Sequence, residues 1–303
     1  ILEELDSAGE WYFDRNSAFL YLLPPKIMND KDLIQISISA DPVVRMNNIS
    51  NVVFDGFKIE LSRFHGLEIR NSKNLSIINC WFENLGGDAI HITNSEMFLV
   101  ANNEIRHVGG GGVIALKNSK IHNNHIHHFG QVWETSHPGI RATGACEISN
   151  NLIHNSNHLA LGTGGSDNKV RYNEIYSVNE DTDDAGSIYD ADNSGDGTVF
   201  EFNYFHDIPY TGRGHGAYAI YLDKGRDNVI IRSNIFENIN SATIFIHGGR
   251  NNLFEENLII NCKEAFKLGP IVVRLPEEFA KVYDNVFQNN IIFNSGAPYY
   301  RAF

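Results

Sequence analysis

An Asn followed two residues later by a large apolar residue recurs through this chain, and no other feature restricts its fold so tightly. The copies are Asn79-Cys80-Trp81, Asn103-Glu104-Ile105, Asn124-His125-Ile126, Asn151-Leu152-Ile153, Asn173-Glu174-Ile175, Asn203-Tyr204-Phe205, Asn234-Ile235-Phe236, Asn257-Leu258-Ile259 and Asn290-Ile291-Ile292. Asp55-Gly56-Phe57 reads as a degenerate first copy, and from it the spacings run 24, 24, 21, 27, 22, 30, 31, 23 and 33 residues. A period in the low twenties with local expansions marks a solenoid whose insertions are loops on selected turns. Stacked coils of parallel strands lie about 4.8 Å apart, and backbone groups at each bend need partners. A column of Asn side chains, each a donor and an acceptor, supplies them. Asn also tolerates the left-handed angles of a sharp bend, so we expect the refrain to mark the bends. The residue four after each Asn (His107, His128, Asn155, Ser177, Asp207, Asn238, Asn261, Asn294) predicts a second column of turns.

Aligning the copies brings further strands into register, with apolar and polar residues alternating as in half-buried strands. The triplets include Leu67-Glu68-Ile69, Ile90-His91-Ile92, Ile114-Ala115-Leu116, Leu159-Ala160-Leu161, Ile220-Tyr221-Leu222 and Ile244-Phe245-Ile246. Their middle residues form an outward column: Glu68, His91, Ala115, Arg141, Ala160, Tyr189, Tyr221, Phe245, Lys267. The expected fold is all-β, a parallel solenoid of about 9–10 coils over residues 43–303. Residues 1–42 stand outside the refrain as an N-terminal β-hairpin segment, followed by a further strand from Leu33 to Ser39. A short helix is expected at Pro276–Lys281.

The net charge of −13 argues against a nucleic-acid backbone as partner, which requires a basic face. No apolar run is long enough for a membrane span. Three cysteines, Cys80, Cys146 and Cys262, are too few for a disulfide scaffold and are expected as buried small side chains. The chain starts at Ile1 and ends soon after a refrain copy with no polar cap. We therefore expect a longer parent chain, or a further domain or oligomer contact at the helix ends.

The Asn column and coil spacing over roughly residues 43–295 resemble the right-handed parallel β-helix superfamily of carbohydrate-active proteins. Within it, Asp183-Asp184-Ala185-Gly186-Ser187-Ile188-Tyr189, Ala219-Ile220-Tyr221-Leu222-Asp223 and Ile246-His247-Gly248-Gly249-Arg250 are more specific. With the leading Gly9-Glu10-Trp11-Tyr12, they resemble β-helix glycoside hydrolases of the xylosidase and fucosidase kind. That resemblance implies an exported enzyme, secreted or periplasmic, acting on a plant or algal poly- or oligosaccharide.

The longest inner intervals, between Asn173 and Asn234, carry loops with Glu180-Asp181-Thr182-Asp183-Asp184 and Thr211 to Gly216, His215 among them. Beside them Tyr189, Tyr221 and Phe245 fall on successive coils, as a sugar platform or as an aromatic stack that only stabilises the sheet. Asp223 falls next to His247, with Arg250 just beyond; burial beside two aromatics is expected to raise the Asp223 pKa towards that of a general acid. Glycoside hydrolysis generally needs two carboxylates, and we assign Asp223 and Asp184. Asp184 lies seven residues before the position level with Asp223, about 20 Å along a straight strand. The pairing holds only where the chain before Tyr189 folds back over the face; otherwise Asp190 or Asp192 is the better partner. Arg141, His158 and Asp183 complete the expected substrate contacts.

Two other functions compete. A polysaccharide lyase would use Arg141, Lys117, His158 or Lys267 against a uronate-containing glycan, and a non-catalytic β-helix would only bind glycan. No metal or other cofactor is expected. His122, His125, His127 and His128 suggest one, but by register His127 lines up with Arg106, His154, Tyr176 and His206 as a ladder, with no acidic or Cys ligand nearby in sequence. The run Asp190 to Gly197 has the composition of a Ca²⁺ loop without the Glu at its twelfth position, so a plain turn is expected, with Ca²⁺ as the alternative.

Overall fold

A computed structural model of the chain describes residues 2–192, 195–212, 214–270, 281–293 and 300–302, the last three by backbone alone. It comprises two compact units, Ile1–Ile36 and Ser37–Phe303. In the first, Trp11–Asp14 pairs antiparallel with Phe19–Leu22. The turn between them is closed by the Asp14 carboxylate, which accepts from Asn16 N at 2.9 Å and Ser17 Oγ at 2.5 Å. The strand expected at Leu33 to Ser39 is absent. Its alternating Ile34, Ile36 and Ile38 are exposed, and a period-2 pattern without a neighbouring strand makes no ladder. The helix expected at Pro276–Lys281 falls, all but Lys281, on residues outside those described.

The second unit is an all-β solenoid. Each coil contributes one strand to each of three parallel sheets, which hold eleven, ten and ten strands. We call them sheets one, two and three in the order the chain first visits them, at Val44–Asn47, Ser50–Asp55 and Lys58–Ser62. Period-2 alternation turns one residue of each pair inward, and stacking then places like on like. On sheet three Ile105, Ile126, Ile153, Ile175, Phe205, Phe236 and Ile259 are paired coil to coil and fully buried. Each such side chain contributes about 1.5–3 kcal/mol relative to exposure. The three cysteines are buried free thiols.

The Asn column runs unbroken from Asn103 through Asn124, Asn151, Asn173, Asn203, Asn234 and Asn257 to Asn290. Each Nδ2 donates to the next Oδ1 at 2.9–3.0 Å. Each Oδ1 also accepts the backbone N–H of the preceding member at 3.0–3.1 Å or closer. The first two refrain copies are out of step, Asp55 by two residues and Asn79 by one. Cys80 N donates to Asn103 Oδ1, so Cys80 holds the ladder position. Asn79 instead bonds Asp55 and Asn102 on an exposed outer column.

This places the bends differently from expectation. The left-handed residue is the one before each ladder position, with φ of 53–57° at Asn79, Asn102, Asn123, Asn150, Tyr172, Phe202, Ser233, Glu256 and Asn289. The ladder Asn satisfies the bend while its neighbour makes it. Bulky Tyr172 and Phe202 adopt this costly conformation and stack on each other at 5.2 Å. The second column is as expected: His107, His128, Asn155, Ser177, Asp207, Asn238 and Asn261 all have positive φ. Asn294 lies outside the described residues.

Candidate functional site

The outward face of sheet one carries the candidate site. Its order is Glu68, His91, Ile114, then Arg141, Gly162, Tyr189, Tyr221, Phe245 and Lys267. Two members differ from the sequence alignment. The strand expected around Ala160 is Leu161–Thr163, which puts Gly162 beside Tyr189. Ile114 takes the place of Ala115, which has φ of 72° at a register shift.

Asp223 ends a seven-residue strand, Ala217–Asp223, level with Ala191. Its Oδ2 accepts Tyr189 Oη–H at 2.5 Å, and its Oδ1 meets His247 Nδ1 at 2.8 Å and Lys224 N at 2.7 Å. Burial works against its charge, but the bonds from His247, Tyr189 and Lys224 N outweigh burial and hold the carboxyl below its ordinary value. The raised pKa expected from burial is thus reversed, because burial comes with donors. Asp223 is an ionised carboxylate.

Asp184 reaches the same face. Its Oδ1 accepts Tyr221 Oη–H at 3.4 Å, and Tyr221 Oη also lies 3.3 Å from His247 Nδ1. Contacts of 3.4, 3.3 and 2.8 Å in line keep the Asp184 and Asp223 oxygens within about 9.5 Å, the upper end of carboxylate spacing in inverting glycosidases. Asp184 itself makes the turn this requires, with φ of 54° just ahead of the strand Ala185–Ala191, and Gly186 then lies against the next coil. A Cβ there would lie 2.7 Å from Tyr221 Cβ and 2.9 Å from Tyr221 N, and would overlap Ile188 O. Only glycine lets the chain pass so close to its neighbour.

Asp190, by contrast, faces the interior. It is fully buried and paired with fully buried Arg226 at 2.9 Å; burial pushes its carboxyl up to about 6 against the pull of Arg226. Alternation puts it on the opposite side of the strand from Tyr189, so it partners neither the cleft nor a Ca²⁺ in the following turn. Asp192 Oδ2 accepts Gly165 N at 3.1 Å.

A cleft of about 360 Å³ opens beside this pair, lined by Ser136, Arg141, His158, Asp184, Tyr189 and Lys224 among others. Arg141 Nη2 donates to Ser136 O at 2.8 Å. Burial, then Arg141, lowers the His158 pKa to about 4, so this imidazole is neutral at ordinary pH. A larger groove of about 870 Å³ runs elsewhere, past Asn48, Asn71, His91 and Lys117. Of the two carboxylates, Asp184 lines the smaller cleft, and Asp223 adjoins it through Tyr189, whose hydroxyl it accepts.

The remaining assignments divide. Tyr221 and Phe245 are 3% and 7% exposed and stack at 4.8 Å. They form a buried cluster with Tyr218 rather than a platform open to a sugar; Tyr189 alone of the three is partly exposed. Lys267 Nζ covers the Phe245 ring at 4.4 Å. Asp183 packs against Gly214, whose φ of 95° and absent side chain let the two loops touch. His215 contributes its carbonyl to Tyr218 Oη and to Lys267, while its side chain is exposed. Arg250 is held by Asp227 at 3.1 Å and by Tyr283, and makes no contact with Asp223 or His247 among the described residues.

Sequence reasoning missed Tyr218 and the Asp190–Arg226 pair. The signal was present in Ala217 to Leu222, a strand too apolar on both faces for one side to be solvated.

The chain belongs to the right-handed β-helix family: the model of the "Right handed beta helix region" matches residues 26–175, 88–218 and 159–299. No curated protein matches it. This fold is common among carbohydrate-active enzymes. No helix among the described residues is long and apolar enough to cross a membrane.

Proposed function

We propose that the chain is a glycoside hydrolase, acting on a plant or algal poly- or oligosaccharide after export. Asp223 is the carboxylate that attacks the sugar or activates water, and Asp184 protonates the leaving oxygen. The observation behind this reading is the ionised Asp223, held by Tyr189 and His247 on one face with Asp184. In this geometry the Tyr189 and His247 contacts fix the direction of the carboxylate before substrate arrives, which lowers the reorganisation needed in the transition state. Arg141 and neutral His158 line the cleft and orient sugar hydroxyls.

The test is hydrolysis of an oligosaccharide panel by the native chain and by Asp223→Asn and Asp184→Asn. Each variant is expected to lose at least about 100-fold in kcat/KM, in line with the loss of an acid–base or nucleophilic group. Unimpaired hydrolysis by either variant sinks its assignment. A lyase reading draws on the cationic Arg141 and Lys224 in the same cleft; it requires an unsaturated, ultraviolet-absorbing product, which hydrolysis does not give.

A further inference from the structure

Sheet three carries a second group of chemical side chains, remote in sequence and unrelated to the hydrolase reading. His125 and His127 alternate outward from one strand, with Glu104 as the coil partner of His125 on one side and His154 as the coil partner of His127 on the other. Stacking supplies the acidic group that the local sequence lacks, since Glu104 lies one coil earlier. Ligand atoms of Glu104, His125 and His127 all fall within 4.8 Å of one another.

Proton accounting shows what the cluster requires. Glu104 Oε2 faces His125 Nδ1 at 3.0 Å, so that nitrogen carries a proton. Its Oε1 likewise takes the proton of His127 Nε2 at 2.8 Å. Asn155 Oδ1 lies 2.5 Å from His154 Nδ1, while the Asn155 side chain also bonds Glu180, which takes the amide's NH₂. His154 Nδ1 is therefore the protonated nitrogen of that ring. In the neutral rings of His125 and His154 the lone pair then sits on Nε2, yet His125 Nε2 and His154 Nε2 face each other at 2.8 Å. Two lone pairs that close need a cation between them.

We propose that this cation is a divalent transition metal of the Zn²⁺ type, bound by His125 Nε2 and His154 Nε2. Both rings have the second partner such ligands require, a carboxylate for His125 and an amide oxygen for His154, each fixing the Nδ1 proton. Zn–N bonds of about 2.0–2.1 Å in tetrahedral geometry set the nitrogens about 3.3 Å apart. The rings reach that spacing by opening about half an ångström on a partly exposed sheet surface. His127 stands alongside, its ring 4.3 Å from that of His125 and 5.0 Å from that of His154. The metal would clip successive coils together across the outer face of the sheet.

The experiment titrates the whole chain with ZnCl₂ by calorimetry in a non-coordinating buffer, with His154→Phe, His125→Gln, Glu104→Gln and His91→Gln in parallel. His154→Phe keeps the ring that stacks between His127 and Tyr176 at 5.0 and 4.5 Å, so it tests the nitrogen and not the packing. The native chain is expected to bind one Zn²⁺ saturably. His154→Phe and His125→Gln should lose it, Glu104→Gln should weaken it about 10–100-fold, and His91→Gln, in the separate cluster around Asp88, should leave it unchanged. No saturable binding to the native chain below about 1 mM, or binding that survives both histidine substitutions, overturns the proposal. So does binding lost only in His91→Gln.

Discussion

Truncating one rung of the buried Asn ladder should cost far more than truncating the residue that makes the bend beside it. In Asn173→Ala the lost amide is 1% exposed. Its Oδ1 accepts Asn151 N at 3.0 Å and Asn151 Nδ2 at 2.9 Å; its Nδ2 donates to Ile148 O, Arg171 O and Asn203 Oδ1 at 3.0, 3.1 and 2.9 Å. Afterwards Asn151 Nδ2 still has Ile121 O, and Asn203 Oδ1 still has Asn173 N. The Asn151 N–H loses its acceptor inside the stack. That orphaned donor costs about 1–3 kcal/mol, and the other bonds about 0.5–1.5 kcal/mol each before relaxation. A total of about 3–5 kcal/mol follows. The control is Asn150→Ala, one residue earlier, exposed and at φ 56°; placing Ala in that region costs about 1–2 kcal/mol. Urea unfolding followed by circular dichroism and fluorescence reads both as midpoint shifts. If the two variants fall within about 1 kcal/mol of each other, buried amide bonding is not what holds the coils in register.

Two further outcomes follow from the site and its surroundings. Gly186→Ala should displace Asp184 from Tyr221, reducing turnover on the true glycan at least about 10-fold while costing only about 1–3 kcal/mol of stability, as overpacking does; full activity would show that the close approach at Gly186 does not position Asp184. Burial lowers both His65 and His158 to about 4. The unfolded chain therefore binds protons that the folded chain refuses, and this contribution to stability is complete above about pH 6.5 and lost as pH falls through 4. The melting temperature should decline across that window, less steeply in His65→Gln, whose amide oxygen can still accept the Asp88 N–H that His65 Nδ1 accepts at 3.0 Å. A flat profile would refute it.

The solenoid was legible because its period is written in a residue type that the bends require. The errors were of one residue or two, and each has a local cause. Cys80 occupies the ladder position in the coil where Asn79 imitates the refrain, and Leu159 imitates the inward position that Leu161 fills. The candidate site was legible where it depended on coil register, as with Asp223 beside His247. It was not legible where a kink or a neighbouring coil decided the geometry. The left-handed turn at Asp184 and the close approach at Gly186 bring that carboxylate onto a face that strand arithmetic puts out of reach, and Tyr221 and Phe245 pack with Tyr218 and Lys267. Glu104 is 21 residues from His125 in sequence and one coil away in space, so a search for ligands nearby in sequence passes it over.

The Asn ladder has a direction. In every bond between ladder side chains from Asn103 to Asn290, the amide of the earlier coil donates and the Oδ1 of the later coil accepts. Their dipoles therefore add along the solenoid axis, and each bond polarises the next. A ladder of this kind behaves as one extended electrical element. Removing two adjacent rungs should cost less than twice one, since the first loss already depolarises its neighbours, and two distant rungs should cost more than two adjacent ones. The same alignment puts opposite partial charges at the two ends of the column, an axial polarity that belongs to no single residue.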